Sequence, residues 1–300
     1  MPVSQGESPL SHTNEPPPAF RAPALACDAH FHVFGPAERY PHRGVNEALR
    51  YVPPLAPLSD YLALAGQLGF ERFVFVQPSA YGRDNACMLD AMREVGIARC
   101  RGIVDVDENA PDALLAEMHA VGVRGVRINV SPVKPPSPGF SATMRPRIER
   151  LAARCAELGW QLDFLHPGWL TEELMPVFAK LPCAFTIAHM GMFLAKDGVQ
   201  QAGFQKLLDL LRHGEGRAWV KLTGAYRMAT LPTLADAAPM ARALIAAAPD
   251  RLIWGSDYPH LSFTDKVGSV QLFNLLADWA PDEATRRRIL VDNPAALFGF

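Results

Sequence analysis

Residues 161–189 are QLDFLHPGWLTEELMPVFAKLPCAFTIAH, and this stretch contains one complete unit of the fold. A short apolar run, Gln161–His166, is followed by a segment with helical spacing that starts at Thr171 and ends at Lys180. A second apolar run, Ala184–His189, comes next. This alternation predicts a strand, a helix and a second strand parallel to the first. Each of the two strands ends on a histidine.

The same alternation extends outward from this unit along the chain. Six further runs rich in Val, Ile and Phe have the character of strands: Ala24–Val33, Arg72–Gln77, Arg101–Val106, Gly125–Val130, Ala218–Gly224 and Arg251–Asp257. Helical runs stop at a glycine in four places: Gly69, Gly96, Gly122 and Gly159. Eight strand–helix units predict an α/β fold, a single (β/α)8 TIM barrel. A doubly wound open sheet is the alternative, although no glycine-rich phosphate loop follows the first strand.

The composition changes once, near the N-terminus. Residues 1–23 are rich in Pro, Ser and Glu, and we expect them to form a flexible N-terminal arm. Residues 24–300 then form the barrel. The proline-rich stretch Ser131–Gly139 is a candidate domain boundary. It follows the fourth strand, however, where a barrel carries active-site loops, so a long functional loop explains it equally well.

The composition also excludes several classes of protein. Of the 300 residues, 49% are hydrophobic and 20% are charged, which suffices for a large core and is too apolar for a disordered chain. The formal net charge is -2 without a basic stripe, so we expect no nucleic-acid partner. No signal-peptide pattern or apolar run of roughly 20 residues occurs, so we expect no membrane association. Five scattered cysteines without a C-x-x-C pair indicate reduced thiols in a cytoplasmic protein.

Histidines gather at the predicted strand ends. Five of the nine lie there or just beyond: His30, His32, His166, His189 and His260. His30 and His32 are two residues apart on a strand, so we expect them to share one face with Asp28. Taken alone, such a pair could be structural. Asp257 ends the eighth strand, however, and imidazoles meeting a carboxylate at a barrel mouth could hold a divalent metal, or polarise a carbonyl and activate water.

These residues carry a resemblance to a known family. The sequence resembles the amidohydrolase superfamily, whose metal-site pattern is H-x-H on strand one, His on strands five and six, and Asp on strand eight. The matching segments here are CDAHFH, FLHPG, IAHMG and WGSDYPH. Together with VQPSAYGRDN, RGVRINV, WVKLTGAYR and NPAALFGF, they resemble the branch that contains 2-pyrone-4,6-dicarboxylate lactonase and related lactone hydrolases. The motifs extend from Cys27 to Phe300, over nearly the whole predicted barrel.

The resemblance implies roles for the clustered residues. Asp257 would act as general base on the hydrolytic water, while His30, His32 and His189 would polarise the lactone carbonyl. Metal use in the branch is mixed, so either no cofactor is required or one divalent ion is bound, with Zn²⁺ the first choice. If a metal is bound, its ligands would come from these four side chains and His166. The fourth strand offers Arg127 and Asn129 but no lysine to bridge two metals, which argues against a binuclear site.

Several side chains are candidates for binding the substrate. Arg127 and Arg227 could clamp a carboxylate in bidentate fashion, and the matching motifs favour this role over that of a solvated surface charge. Ser79 and Tyr81 could donate to the same anion. Two histidines, His166 and His260, are further candidates to line the substrate site.

Met192 marks a departure from the branch. The pyrone dicarboxylate lactonases carry a basic residue after the His-Met-Gly motif, whereas this chain has Met192 followed by Phe193. The pocket would thereby lose a cation and gain apolar surface. We expect a lactone with fewer acidic groups or a larger apolar part than 2-pyrone-4,6-dicarboxylate, although Met192 could also be a plain wall residue.

The leading hypothesis is therefore a lactone hydrolase of aromatic or sugar-acid breakdown, acting on a small anionic lactone as a monomer or small homo-oligomer. A second hypothesis is a metal-dependent non-oxidative decarboxylase of an aromatic or unsaturated acid, because that branch shares the barrel and its strand-end histidines. A third is a barrel that has lost its chemistry and serves as a binding or assembly protein, which predicts a broken site.

Overall fold

The computed structural model describes residue 15 and residues 17–42, 53–130 and 139–300. Within these ranges eight strands form one sheet in which neighbours pair in parallel and in chain order. The strands are β1 Cys27–Phe31, β2 Arg72–Val76, β3 Cys100–Val104, β4 Val123–Asn129, β5 Gln161–Leu165, β6 Phe185–Ile187, β7 Ala218–Leu222 and β8 Leu252–Trp254. The predicted (β/α)8 barrel is confirmed.

Hydrogen bonds near the ends of β1 and β8 bring the two edges of the sheet together. The amide of Asp257 donates to the carbonyl of His30 at 2.8 Å, and the amide of His32 donates to the carbonyl of Tyr258 at 2.9 Å. The first and last strands therefore meet, which excludes the doubly wound open sheet. The same bonds place the end of the eighth unit beside the two histidines of the first.

Helices follow the strands and pack on the outside of the sheet. The described helices are α1 Leu58–Leu68, α2 Ala86–Val95, α3 Asp112–Ala120, α4 Phe140–Leu158, α5 Gly168–Phe178, α6 Ala202–His213, α7 Ala238–Ala247, α8 Ser269–Trp279, α9 Glu283–Arg287 and α10 Asn293–Phe298. The expected start of a helix at Thr171 is wrong, because α5 begins at Gly168 and Thr171 is buried inside it. Leu170 and Leu174 are completely buried, and packing of this apolar face outweighs a local capping signal.

The helix ends agree with the glycine pattern. Gly69 adopts φ 91° and ψ 20°, and its amide donates to the carbonyl of Ala65. Gly159 adopts φ 65° and ψ 29° in the same way. The other two predicted positions, Gly96 and Gly122, also have positive φ, at 85° and 104°. Glycine adopts such angles without the steric cost that a Cβ would add, so each helix can turn back sharply toward the next strand.

The interior of the barrel is layered. Its lower part is apolar and includes Cys27, Val74, Ile103 and Ile253, with Phe298 of the last helix packed against them. Higher up the interior becomes polar: Arg127, Asp163 and Thr186 are register partners across β4, β5 and β6, and Lys221 of β7 reaches the carboxylate of Asp163. These four side chains are buried. A charged layer thus lies beneath the barrel mouth.

Part of the expected N-terminal arm lies against the barrel. The ring of Phe20 packs on Phe273 of α8 at 4.3 Å between centroids, and the amide of Ala19 donates to Asn274 at 2.6 Å. The carboxylate of Glu15 accepts from the amide of Val270 at 2.6 Å. Residues 1–14 and 16, and residues 131–138 of the proline-rich stretch, lie outside the described residues. No described helix is long and apolar enough to cross a membrane.

Candidate active site

Four side chains from three places in the chain converge at the mouth of the barrel. His30 and His32 come from the end of β1 and just beyond it, His189 follows β6, and Asp257 follows β8. Oδ1 of Asp257 lies 3.5 Å from Nε2 of His30 and 3.6 Å from Nε2 of His32. Oδ2 of Asp257 lies 3.8 Å from Nε2 of His189. All four are buried, so the structure brings together the residues that the sequence predicts to be catalytic.

Asp28 does not join this cluster, and the expectation that it shares the face of His30 is wrong. The β1–β2 register shifts between Asp28 and Phe31, which is the mark of a bulge. The carboxylate of Asp28 instead accepts from the hydroxyl of Tyr61 in α1 at 3.1 Å and from the amide of Ser256 at 3.0 Å. Burial raises the pKa of Asp28 to about 6. This carboxyl group braces the cluster from outside the barrel.

The backbone is strained where the cluster is displayed. His189 and Asp257 have φ of 51° and 56°, in the left-handed region that residues other than glycine seldom adopt. Such conformations cost about 1–3 kcal/mol each and concentrate at functional sites. Gly224 permits the packing around His189, because a Cβ at this position would lie 2.5 Å from Nδ1 of that ring. The chain therefore holds both side chains at the mouth against its own local preference.

Hydrogen bonds orient the imidazoles. Nδ1 of His32 lies 2.8 Å from the carbonyl of Val76, which can only accept, so the proton of this neutral ring sits on Nδ1 and Nε2 offers a lone pair to the cluster. Nδ1 of His189 lies 2.7 Å from the hydroxyl of Thr223. Burial lowers the pKa of His189 to about 3 and also lowers that of His32. The rings are therefore neutral near pH 7.

Asp257 is held through one oxygen. Tyr226 donates its hydroxyl to Oδ2 at 2.5 Å, and Nε of Arg227 donates to the same oxygen at 3.1 Å. Oδ1 accepts no hydrogen bond from the described residues. Burial alone would raise the pKa of Asp257, but the Arg227 guanidinium beside it holds that pKa well below its usual range. The carboxylate thus stays ionised, with one oxygen anchored and the other available to take a proton from water.

Two further predicted histidines, His166 and His260, pack against other side chains. The ring of His166 stacks on Phe178 of α5 at 5.9 Å, and its Nδ1 lies 3.1 Å from the carbonyl of Pro167. Its Nε2 is buried without a hydrogen-bond partner among the described residues, and His166 is not one of the three residues whose ligand atoms lie within 4.8 Å of one another. His260 lies behind Tyr226, with ring centroids 5.8 Å apart, and its Nε2 is 3.2 Å from the hydroxyl of Ser269.

The predicted substrate-binding residues occupy different surroundings. Arg127 is buried in the barrel and donates to the carbonyl of Gln77 at 2.6 Å. The hydroxyl of Tyr81 accepts from the amide of Gly35 at 3.1 Å, which ties it to the loop after β1. Ser79 is half-buried two residues earlier. Arg227, with 23% of its side chain exposed, contacts Asp257 directly.

A cavity of about 670 Å³ lies beside Arg227, and none of the four side chains of the cluster is among the residues that line it. Arg227 forms part of its wall and is at the same time a partner of Asp257. The rest of the wall is mainly apolar and includes Trp169, Met192, Phe193 and Phe263. Met192 therefore lines a pocket, as the sequence predicts. The pocket is large enough for a small ligand.

The donor set fits one divalent ion. His30, His189 and Asp257 each offer one ligand atom, and these three atoms lie within 4.8 Å of one another. Nε2 of His30 and Oδ1 of Asp257 are buried atoms without a hydrogen-bond partner in the described part of the chain. Imidazole nitrogen and carboxylate oxygen are the ligands of catalytic zinc sites.

Three participants were missed by the sequence analysis. Tyr226 contacts Asp257, Thr223 contacts His189, and Lys221 contacts His30. Lys221 had a signal, because a lysine at an interior-facing position of the strand AWVKL breaks an otherwise apolar run. Tyr226 had none beyond its position next to Arg227.

Comparison with known proteins agrees with this architecture. The family model described as amidohydrolase matches residues 27–300, and the chain belongs to this family. It is 38% identical to a 4-sulfomuconolactone hydrolase of Hydrogenophaga intermedia, over 97% of this chain and 93% of that one. It is 32% identical to a 2-pyrone-4,6-dicarboxylate hydrolase of Comamonas testosteroni, over 96% and 94%.

A solved structure shows the same likeness. The putative 2-pyrone-4,6-dicarboxylic acid hydrolase of Pseudomonas putida is 32% identical and superposes with a TM-score of 0.80, over 92% of this chain and 97% of that one. The resemblance inferred from the motifs is confirmed.

Proposed function

We propose that this chain hydrolyses a lactone that carries a carboxylate and an apolar substituent, in aromatic or sugar-acid catabolism. The observation that carries the proposal is the state of Asp257: a buried carboxylate with Oδ2 anchored by Tyr226 and Arg227 and Oδ1 available among the imidazoles. The names of the relatives support it, because they are hydrolases of a muconolactone and of a pyrone.

The residues would act as follows. Asp257 takes a proton from the attacking water through Oδ1, while a ring N–H of His30 or His189 stabilises the oxyanion that forms on the lactone carbonyl. The tetrahedral intermediate then collapses, the ring C–O bond breaks, and the proton held by Asp257 passes to the departing oxygen. Water is thus added across the ester bond and Asp257 returns to its ionised form.

A divalent metal ion bound at the cluster could assist the proposed hydrolysis. His30, His189 and Asp257 would hold it, with His32 beside them, and Zn²⁺ suits their nitrogen and oxygen atoms. A divalent ion in this position would polarise the carbonyl and lower the pKa of water. We propose that it is not strictly required, because a lactone carbonyl is more electrophilic than an amide.

The cavity supports the apolar part of the substrate. Phe193 forms a wall and sits in a cradle of three glycines, since a Cβ at Gly168, Gly191 or Gly203 would lie 2.8 Å from its ring. With Met192 beside it, this wall offers apolar contact where a basic residue would attract a second carboxylate. Arg227, on the same wall, is the candidate partner for the remaining carboxylate.

Two alternatives have less support. A barrel that has lost its chemistry predicts a broken site, whereas the side chains of His30, His189 and Asp257 converge. A decarboxylase would need a tightly bound metal. Five buried free cysteines are in keeping with a cytoplasmic location, which remains part of the proposal.

The test is a lactone panel assayed with a pH indicator, using purified protein before and after exhaustive chelation. Acid release is expected from a monocarboxylated lactone with an apolar arm, with slower turnover of 2-pyrone-4,6-dicarboxylate. The same samples are assayed for CO₂ release from aromatic acids. CO₂ release without lactone opening, or tight stoichiometric metal that is essential for all turnover, would contradict the proposal.

A further inference from the structure

Lys221 and Asp163 form a fully buried ion pair beneath the catalytic cluster. Nζ of Lys221 lies 2.6 Å from Oδ1 of Asp163 and 3.2 Å from Nδ1 of His30. Thr186 donates its hydroxyl to the same carboxylate oxygen at 2.5 Å. Neither Lys221 nor Asp163 lines the cavity. Among the described residues, the contact between Lys221 and His30 links the pair to the cluster.

Stability alone does not account for this pair. Desolvating two charges is costly, and an apolar pair of similar volume is often as stable or more so. The interior layers of such barrels are usually filled with Val, Ile and Leu. Nζ of Lys221 lies at ion-pair distance from the buried carboxylate of Asp163, which stabilises the ammonium form. The ion pair therefore favours a charged lysine directly under His30.

We propose that Lys221 is a positioning residue that fixes the proton of His30 on Nε2. An ammonium group has only donors, so Nδ1 of His30 must accept from it and the ring proton must sit on Nε2. That N–H faces the cluster, 3.5 Å from Oδ1 of Asp257. His32 has the opposite tautomer, because its Nδ1 donates to Val76. The two histidines of the H-x-H motif thus present a donor and an acceptor at the mouth.

This arrangement has consequences for catalysis and for metal binding. If the proposed lactone hydrolysis is correct, as this step assumes, His30 can donate to the carbonyl oxygen of the substrate without a metal. A metal ligand, by contrast, must offer a lone pair. Nε2 of His30 could therefore join His189 and Asp257 around an ion only after losing its proton, which the donation from Lys221 to Nδ1 opposes. Lys221 therefore favours hydrolysis without a metal and weakens zinc binding at His30.

The tautomer can be measured directly. Two-dimensional ¹H–¹⁵N correlation through multiple bonds, on metal-free ¹⁵N-labelled protein, distinguishes protonated from unprotonated ring nitrogens. A His30→Asn variant assigns the His30 signals. We expect Nε2 protonated and Nδ1 unprotonated in the wild type, and a mixture or the reverse in Lys221→Met. Wild-type protein with the proton on Nδ1 would overturn the proposal, and this holds even if Lys221→Met does not fold.

Zinc affinity and kinetics complete the test. In Lys221→Met we expect Zn²⁺ to bind about tenfold more tightly by calorimetry. In chelated protein kcat should fall about 100-fold, with KM nearly unchanged. Lys180→Met, at an exposed lysine, is the matched control and should change neither quantity. Unchanged zinc affinity and kcat in folded Lys221→Met would refute the proposed role of Lys221. If the wild-type protein shows the expected tautomer but opens no lactone, only the proposed function is refuted.

Discussion

Nε of Arg227 donates to Oδ2 of Asp257 at 3.1 Å, while Oδ1 of the same carboxylate accepts no hydrogen bond from the described residues. One arginine thereby joins the reactive carboxylate to the wall of the adjoining cavity. The arrangement anchors Asp257, keeps it ionised and leaves one oxygen for chemistry.

Asp257→Asn should abolish lactone turnover and leave the fold intact. An amide keeps the shape of the side chain but cannot take the proton of water, so kcat/KM should fall about 100- to 10,000-fold. Circular dichroism and initial rates check this. The control is Asp209→Asn, on the exposed face of α6, which should retain full activity. Wild-type turnover in Asp257→Asn would eliminate the general-base role.

Arg227→Met should move the acid limb of the pH–rate profile to higher pH. Arg227 is the main charge that lowers the pKa of Asp257, so its removal raises that pKa. The base is active when ionised, and activity lost on acidification should therefore be lost at a less acidic pH than in the wild type. The check is kcat/KM measured across pH on chelated protein. An acid limb that stays in place, or moves to lower pH, would disprove this coupling.

Asp28→Asn should change how stability depends on pH. The folded-state pKa of Asp28 is about 6 against an ordinary 3.8, so the stability contributed by its protonated form is present below pH 4 and lost as the pH rises to 6. A shift of this size corresponds to about 3 kcal/mol. The amide introduced by Asp28→Asn does not ionise, so the variant should not lose this stability. The free energy of unfolding of the variant, relative to that of the wild type, should therefore increase between pH 4 and pH 7. Urea unfolding at both pH values measures this, and a parallel change in both proteins would contradict it.

Gly203→Ala should alter substrate preference. The new Cβ would lie 2.8 Å from the ring of Phe193, forcing that ring toward the cavity. KM should rise several-fold for lactones with a bulky apolar arm and change little for compact ones. Gly66→Ala is the matched control, because Gly66 is also helical and its added Cβ would meet no atom within 4 Å. Equal effects on both substrate classes would remove Phe193 from the specificity wall.

The barrel and most of the cluster could be predicted because both depend on short-range pattern. Alternating strands and helices define the barrel, and a barrel brings all its strand ends to one mouth. His30, His32, His189 and Asp257 could therefore be placed together from their positions alone. The expectation that Met192 lines a pocket came from the family resemblance, because the motif of the branch has a basic residue at this position.

Only the tertiary structure decided how each group is held. A bulge in β1 directs Asp28 outward to Tyr61, and aromatic packing takes His166 to Phe178. The pairing of Lys221 with Asp163 joins strands far apart in the sequence. Local pattern determines which residues reach the mouth of the barrel. Contacts between distant segments set their orientation and protonation, because bulges, ring packing and buried hydrogen bonds depend on neighbours that no local window contains.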